Sequence, residues 1–413
     1  MKKEIQRYQG EAHGELVREI SETFPWGHPA WAPSVPVRAG RLRGPNSMIA
    51  ADTDCEAVSA WLNETGANSR KTYDAYRREA ERFLLWAAHI NKSLSEVLRD
   101  DIVEYYEFIK KVPKGSALLG SKVCRRSNPE WRPFTGSLSK NAQRNTQLIL
   151  SSLYKYLTDS GWLYADPQPR KKIKSGYAAA PLTRSFEDVQ TNAVFYFLYT
   201  QELAAETAWQ RMNAARDRWI IAVCIHLALR EGDCTTTTMG DFRLSRHADV
   251  KMWELHVVGK GQKEAAIPAT EACIDELKRF RKAIGLRPLP EKSEMFPVVP
   301  SFRKVWEKKA SSVQDIECHS VSTQTIYRRI KAVFSGAADV LHAEGLEFEA
   351  DQLRAASPHW LRHTSIRDLV ASVSDLTIAQ KFARHNNVNT TATYAAKTNR
   401  EVYENLSKRR TYR

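Results

Sequence analysis

Between Asp52 and Pro167 the apolar residues recur every three to four positions through four consecutive segments, and this period commits the region to packed helices. The segments are CEAVSAWLNE, SRKTYDAYRREAERFLLWAAHI, SLSEVLRDDIVEYYEFIKKV and SKNAQRNTQLILSSLYKYLTDSG. Each leaves one apolar stripe that has to be covered, in the second by Tyr73, Tyr76, Phe83, Leu84 and Trp86, so an all-α bundle is expected. The polar faces carry Arg70, Lys71, Arg77, Arg78, Lys140 and Arg144, which suit either a duplex backbone or plain solvation. VPKGSALLGSKVCRRSNPEWRPFTGS, between the third and fourth segments, is basic and has no period. Such a long loop inside a domain is usually functional or disordered.

Four regions follow from the same reading. Residues 1–51 form an N-terminal arm whose prolines forbid a continuous helix, expected to pack on the neighbouring domain through Trp26 and Trp31, with a DNA- or partner-touching arm as the alternative. Residues 52–167 are the helical domain. Residues 168–184 form a basic linker containing Arg170, Lys171, Lys172 and Lys174, either a hinge on DNA or a solvated spacer. Residues 185–413 form a second domain and its tail. There, helical patterns resume and AARDRWIIAVCIHLALR ends at Arg230. WELHVVGK and KEAAIPA then read as a hairpin joined through Gly259-Lys260-Gly261-Gln262, and helical patterns return up to Leu353. The tail NREVYENLSKRRTYR reads as a short basic helix or a frayed end.

A formal net charge of +14 points toward a polyanionic partner, nucleic acid or an anionic membrane surface, or else a solvated basic surface. The six cysteines are scattered without a C-x-x-C pair, which suits reduced thiols in a cytosolic compartment and neither a disulfide framework nor a cysteine zinc site. Lys2 and Lys3 have no apolar run behind them, so no secretory signal is read. No uncharged apolar run is long enough to span a bilayer, so the chain is read as soluble.

The chemistry concentrates in SPHWLRHTSIRDLVASVSDLTIAQKFARHNNVNTTATY, from Ser357 to Tyr394. Ser357 suits an N-cap and Pro358 the first helical position, placing His359 in the first turn. Arg362, three residues on, falls on the same face, so both side chains can reach an anion near the positive helix N-terminus, a phosphate above all. A second short helix capped by Ser374 carries the chain to His385 in a polar break, and Tyr394 follows nine residues later. His359 and His363 stand four apart, as two zinc ligands would, but Trp360 occupies the place where such a motif needs Glu and no cysteine cluster assists.

In order and spacing, His359, Arg362, His385 and Tyr394 resemble the C-terminal signature of the tyrosine recombinases, the phage-integrase-like site-specific recombinases. That signature is His-x-x-Arg, a second His some two dozen residues on, and a nucleophilic Tyr nine residues after it. The family usually has Leu-Gly before the second His, where this chain has Ala383-Arg384, and arginine enters positive φ less readily than glycine. Leu229-Arg230, with Asp233 and Asp241 behind it, resembles the first arginine box, its usual Leu-rich continuation replaced by Thr235 to Thr238. Lys260 resembles the family's hairpin lysine, and NSRKTYDAYRREAERFLLWA with GWLYADP resembles the core-binding domain.

The resemblance implies a mainly α fold with a small antiparallel β-sheet, a helical core-binding domain and a catalytic domain together forming a C-shaped DNA clamp. Two arginines, Arg230 and Arg362, suit the non-bridging oxygens of a phosphodiester, because planar forks match them better than lysines do. Tyr394, whose phenol ordinarily titrates near about 10, needs a base and a positive field to attack. His359 and the arginines can supply both. Lys260 would protonate the leaving 5′ oxygen, His385 would hydrogen-bond the phosphate, and Asp233 would orient the site. The implied activity is site-specific strand exchange through a 3′-phosphotyrosine, serving integration, excision or resolution of a mobile element. Neither cofactor nor metal is implied. The implied partners are double-stranded DNA, further copies of the chain in a tetramer, and accessory DNA-bending proteins, in a prokaryotic cytoplasm. Singly, an Arg after a helix is a cap, a Tyr near a C-terminus packs, and Tyr403 and Tyr412 are rival nucleophiles without the nine-residue spacing. The same residue set also serves type IB topoisomerases and telomere resolvases, and an inactive DNA-binding relative or a basic RNA-binding or structural protein stays open.

Overall fold

Many helix starts in this chain are set by capping side chains. Thr53 Oγ1 accepts the Glu56 amide at 3.2 Å while the Glu56 carboxylate accepts the Thr53 amide at 3.1 Å, a reciprocal box that opens α1 (Asp54–Gly66). Ser69 and Ser139 open α2 (Arg70–His89) and α4 (Lys140–Asp159) by accepting the Thr72 and Ala142 amides, without the reciprocal bond. The third segment does not run as one helix. Glu96 accepts the Ser93 amide and Asp101 the Leu98 amide, both at 2.8 Å, so a single 3-10 turn closes and the chain restarts as α3 (Arg99–Lys110). The structure, a computed structural model, describes residues 27, 29, 31–169, 184–259, 263–314, 316–385 and 387–395. The chain divides into two compact units, residues 1–178 and 179–413.

The first unit is the expected bundle. Its core stacks Phe83 edge-on against Tyr105 at 5.0 Å and Tyr154 at 6.0 Å, with Trp86 tilted on Tyr105 at 5.0 Å. The aperiodic loop is drawn inward at Leu118 and Phe134, both fully buried, and is therefore a packed part of the domain. From residue 31 the arm lies on this unit: Trp31 packs on Trp131, the Arg132 guanidinium sits 4.4 Å over the Trp31 ring, and Val35 and Leu42 are buried. Trp26 lies outside the described residues. The buried Asp54 carboxylate accepts the Ser95 amide at 2.7 Å and Trp162 Nε1–H at 2.9 Å, with Arg43 Nη1 3.5 Å away.

The second unit builds on α5 (Asp188–Leu203), α6 (Ala208–His226), α7 (Glu231–Thr236), α8 (Glu271–Ala283), α9 (Arg303–Glu307), α10 (Thr323–Ala343) and α11 (Glu347–Ala355). Its last described helices are α12 (His359–Ser372), α13 (Leu376–Ala383) and α14 (Val388–Ala392). The hairpin is present as β2 (Val250–Gly259) and β3 (Lys263–Ala269), antiparallel with Gly259 opposite Lys263. The sequence reading missed β1 (Phe242–His247), which pairs with β2 and extends the sheet to three strands. Its text is polar because only Phe242 points into the core, opposite Leu255. Trp219 of α6 stacks on Phe280 of α8 at 5.7 Å and donates from Nε1 to the Val298 carbonyl at 2.9 Å, fixing the helix that ends beside the site.

That helix stops at His226, four residues short of Arg230, because Ala228 turns into the left-handed region at φ 45°. Arg230 instead stands at the cap position of the short α7, which takes in Thr235 and Thr236 and has Thr237 at its C-cap. The long helical pattern reaching Leu353 is likewise two helices, broken at Gly345 with φ 79°. Among the described residues no helix is long and apolar enough to cross a membrane.

Asp54→Ala leaves two buried donors unsatisfied and removes the counter-charge of Arg43. It is expected to lower the urea midpoint of the first unit's transition by the equivalent of about 3 kcal/mol, read by tryptophan fluorescence of the full chain. A shift below about 1 kcal/mol would show that the carboxylate is not the tie described here.

Candidate active site

The helix carrying the second arginine begins at His359, with Pro358 in the cap place (φ −51°) and no side-chain cap, so Ser357 does not play the capping part its sequence suggests. One turn in, Arg362 points into the protein at 2% exposure. Its Nη1 donates to the Ala228 carbonyl and its Nη2 to the Ala383 carbonyl. The guanidinium thus bridges the loop before Arg230 to the end of α13. Burial pushes its pKa down to about 9, with further lowering by Arg230 and Arg384.

Asp375 caps α13 by accepting the Thr377 amide at 2.8 Å, so the cap is one residue later than Ser374. The helix ends at Arg384, which takes the left-handed conformation (φ 54°, ψ 43°) despite its side chain. That backbone costs about 1–2 kcal/mol for an L-residue. The offset is visible: Arg384 Nη1 stands 2.9 Å from Asp233 Oδ2, and Nη2 donates to the Ala228 carbonyl at 3.2 Å. The Ala383-Arg384 departure therefore preserves the left-handed bend and inserts a third guanidinium among Arg230, Arg362 and Asp233. Asp233 Oδ2 also accepts the Arg230 amide at 3.1 Å.

The bend delivers His385, whose Nδ1 lies 2.9 Å from Thr391 Oγ1. The next turn brings Tyr394 back onto Ala228, Ile366 and Ala383. The Tyr394 hydroxyl is hydrogen-bonded to Nδ1 of His363. His359 instead packs its ring edge-on against His363 at 4.5 Å, and the His385 ring stacks 6.1 Å from Tyr394. Burial raises the Tyr394 pKa, opposed by Arg362 and then Arg230. Burial also lowers His363 and His385 to about 4 each, reinforced for His363 by His359 and Arg362 and for His385 by Arg362 and Arg230. His359, nearer the rim, is lowered too, by burial and then by Arg362 and Arg230. Neutral imidazoles beside a phenol and a cluster of guanidiniums form a pocket ready for an anion and for a proton.

The structure therefore gathers Arg230, Asp233, His359, Arg362, His385 and Tyr394 within one unit. Two participants were missed by the sequence reading: His363, weighed only as a zinc ligand, and Arg384, read only as a departure. The spacing of His359, Arg362 and His363 within one turn of a helix was the available signal for the first; none existed for the second. Among the described residues no group of three or more His, Cys, Asp or Glu is arranged to hold a metal. Lys260 lies outside the described residues, as do Lys171, Lys172, Tyr403 and Tyr412. Of the candidate duplex contacts, Arg70, Lys71, Arg78 and Lys140 are exposed while Arg77 and Arg144 are half-buried. Arg70 lies 3.3 Å from Asp74 and Arg78 3.5 Å from Glu79.

Residues 198–401 match the phage integrase family. A tyrosine recombinase of Thermosipho africanus is 22% identical over 360 residues, covering 86% of this chain and 99% of that protein. Tyrosine recombinase XerD of Pseudomonas aeruginosa is 24% identical over 342 residues, 81% of this chain and 88% of that protein. Among solved structures, the post-cleavage complex of the XerH site-specific recombinase with a palindromic difH substrate has a similar fold. Its TM-score is 0.56 at 15% identity, covering 87% of this chain and 85% of that one.

Because His363 and His385 are held near about 4 in the folded state against 6.5 unperturbed, the unfolded chain binds more protons between those values. Stability is then fully present above pH 6.5 and falls as the pH drops toward 4. The urea midpoint of the second unit should decline from pH 7 to pH 5, and the double variant His363→Gln/His385→Gln should flatten that decline. An unchanged slope would mean that these imidazoles are as solvated as free histidine.

Proposed function

Since this chain is a member of the tyrosine recombinase family, a class of site-specific DNA recombinases, we propose that it cuts and rejoins double-stranded DNA with Tyr394 as the nucleophile, one strand at a time. One observation carries the assignment: a buried phenol hydrogen-bonded to a neutral imidazole, inside the field of Arg362 and Arg230.

In this reading the Tyr394 oxygen attacks the phosphorus as its proton passes to His363 Nδ1, and the bond to the 5′ oxygen breaks. The product is a 3′-phosphotyrosine and a free 5′-hydroxyl, whose proton comes from Lys260, the general acid implied by the resemblance. The phosphotyrosine keeps the energy of the broken ester, so a 5′-hydroxyl from another strand reverses the step without ATP. Arg230, half-exposed and with a side chain that makes no hydrogen bond or ion pair among the described residues, is the direct contact to a non-bridging oxygen. Arg362 has three of its five N–H groups left beyond the two carbonyls and supplies charge from behind. In the tautomer that accepts the Thr391 hydroxyl at Nδ1, His385 carries its proton on Nε2, the donor for the phosphate. His359 steadies the His363 ring.

The arriving phosphate also cancels part of the positive field that depresses His363. The base therefore gains proton affinity only when DNA occupies the site. The net charge of +14 supports duplex DNA as the partner. Exchange between two duplexes needs a tetramer of protomers, and the family match supports integration, excision or resolution of a mobile element as the outcome.

The test is covalent capture: the chain is incubated with fragmented DNA of its own source in chelator and denatured, and protein-linked 3′ ends are sequenced. Wild type should link at a recurring sequence, while Tyr394→Phe should form no adduct and still retain duplex DNA. His363→Ala should slow adduct formation about 100-fold or more, the usual contribution of a positioned base. Adducts formed by Tyr394→Phe, or none formed by wild type, would remove this reading.

A further inference from the structure

We propose that Arg384 is a positioning residue that takes up the charge of the Asp233 carboxylate in place of the Arg230 guanidinium and so keeps that guanidinium free for the DNA phosphate; the proposal rests on the strand-exchange reading of this site. Asp233 follows Arg230 by three residues at the start of α7, a spacing at which oppositely charged side chains pair readily. A carboxylate exposed by only 8% needs a cation, and the Arg384 guanidinium lies beside it. In the structure Arg384 fills that need, with Nη1 2.9 Å from Oδ2, while Arg230 gives Asp233 only its backbone amide. No hydrogen bond or ion pair involves the Arg230 side chain among the described residues.

Arg384 is itself unsuited to touch DNA. Its side chain is 9% exposed, and Nη2 is tied to the same Ala228 carbonyl that Arg362 uses. Its left-handed backbone turns the side chain back under the Arg230 loop while presenting His385 next door. Deprived of Arg384, Asp233 would be left with Arg362, whose positive form it already favours, and with Arg230 three residues before it, and an ion pair to Arg230 would compete with the phosphate for the same fork.

Arg384→Gly is a clean probe because glycine adopts the left-handed conformation without strain, so the bend stays and only the guanidinium is lost. Arg384→Asn, also tolerant of that conformation, is the second variant should the first fold poorly. The readout needs no DNA: phenylglyoxal labelling of free guanidiniums in the folded full-length chain, with Arg230 quantified by peptide mass spectrometry. Labelling of Arg230 should be about fivefold slower in Arg384→Gly than in wild type, the shift expected of an ion pair worth about 1 kcal/mol. Adding Asp233→Asn to Arg384→Gly should restore it, a rescue that a merely structural role for Arg384 would not produce.

Labelling of Arg230 that is unchanged or faster in Arg384→Gly, or slowing that Asp233→Asn does not relieve, would overturn the proposal. On captured target DNA the same order of adduct rates is expected: slow in Arg384→Gly, recovered in Arg384→Gly/Asp233→Asn. Should wild type form no adduct at all, the strand-exchange reading fails while the labelling result still decides the role of Arg384.

Discussion

The site depends on one buried guanidinium. Arg362 donates to the carbonyls of Ala228 and Ala383, and these two residues stand at left-handed bends, Ala228 within one and Ala383 just before Arg384. A carbonyl at the end of a helix is an orphan acceptor, and a bend leaves it unable to find an amide of its own. One planar cation serves both acceptors and so sets the distance between the loop that carries Arg230 and the loop that carries His385. Without that bridge, the ends of α6 and α13 would be tied only by Arg384, through the Ala228 carbonyl and Asp233, and by the packing of Ala228 with Ala383.

Concentrating charge in this way has an electrostatic consequence. Arg230, Arg362 and Arg384 crowd around a single Asp233, and burial first, then the neighbouring positive charges, bias three groups toward their less positive form: Arg362 is lowered to about 9 and the imidazoles of His363 and His385 to about 4. The protein holds this repulsion because α6, the sheet and α8 supply a rigid apolar base through Trp219 and Phe280. An anion entering among these groups would offset part of that repulsion. Strain in the backbone at Ala228 and Arg384 belongs to the same economy of a functional site, where surrounding contacts determine the conformation more strongly than local preference does.

Much of the fold was legible because amphipathic period is a local property. Phe83, Trp86, Tyr105 and Tyr154 lie in the first unit's core at positions the three-to-four spacing selects, and β2 and β3 lie where their apolar text and turn residues put them. The misplacements share a cause. Helical period continued past His226, across Val97 and across Gly345, while the chain stopped at a cap or a left-handed residue that hydrophobicity does not encode. β1 went unseen because an edge strand with one buried side chain carries no alternation to detect.

By itself, the sequence determined which residues had to be considered together: His359, Arg362, His385 and Tyr394 in fixed spacing, with Arg230 and Asp233 upstream. Only the tertiary structure decided how they meet. His363 and not His359 faces the Tyr394 hydroxyl, Arg362 spends two donors on backbone carbonyls, and Arg384 holds Asp233. The physical reason is range. Periodicity and capping act over a few residues, whereas these contacts join segments from 21 to more than a hundred residues apart, and the partner of a side chain across such a distance is chosen by packing of the intervening helices.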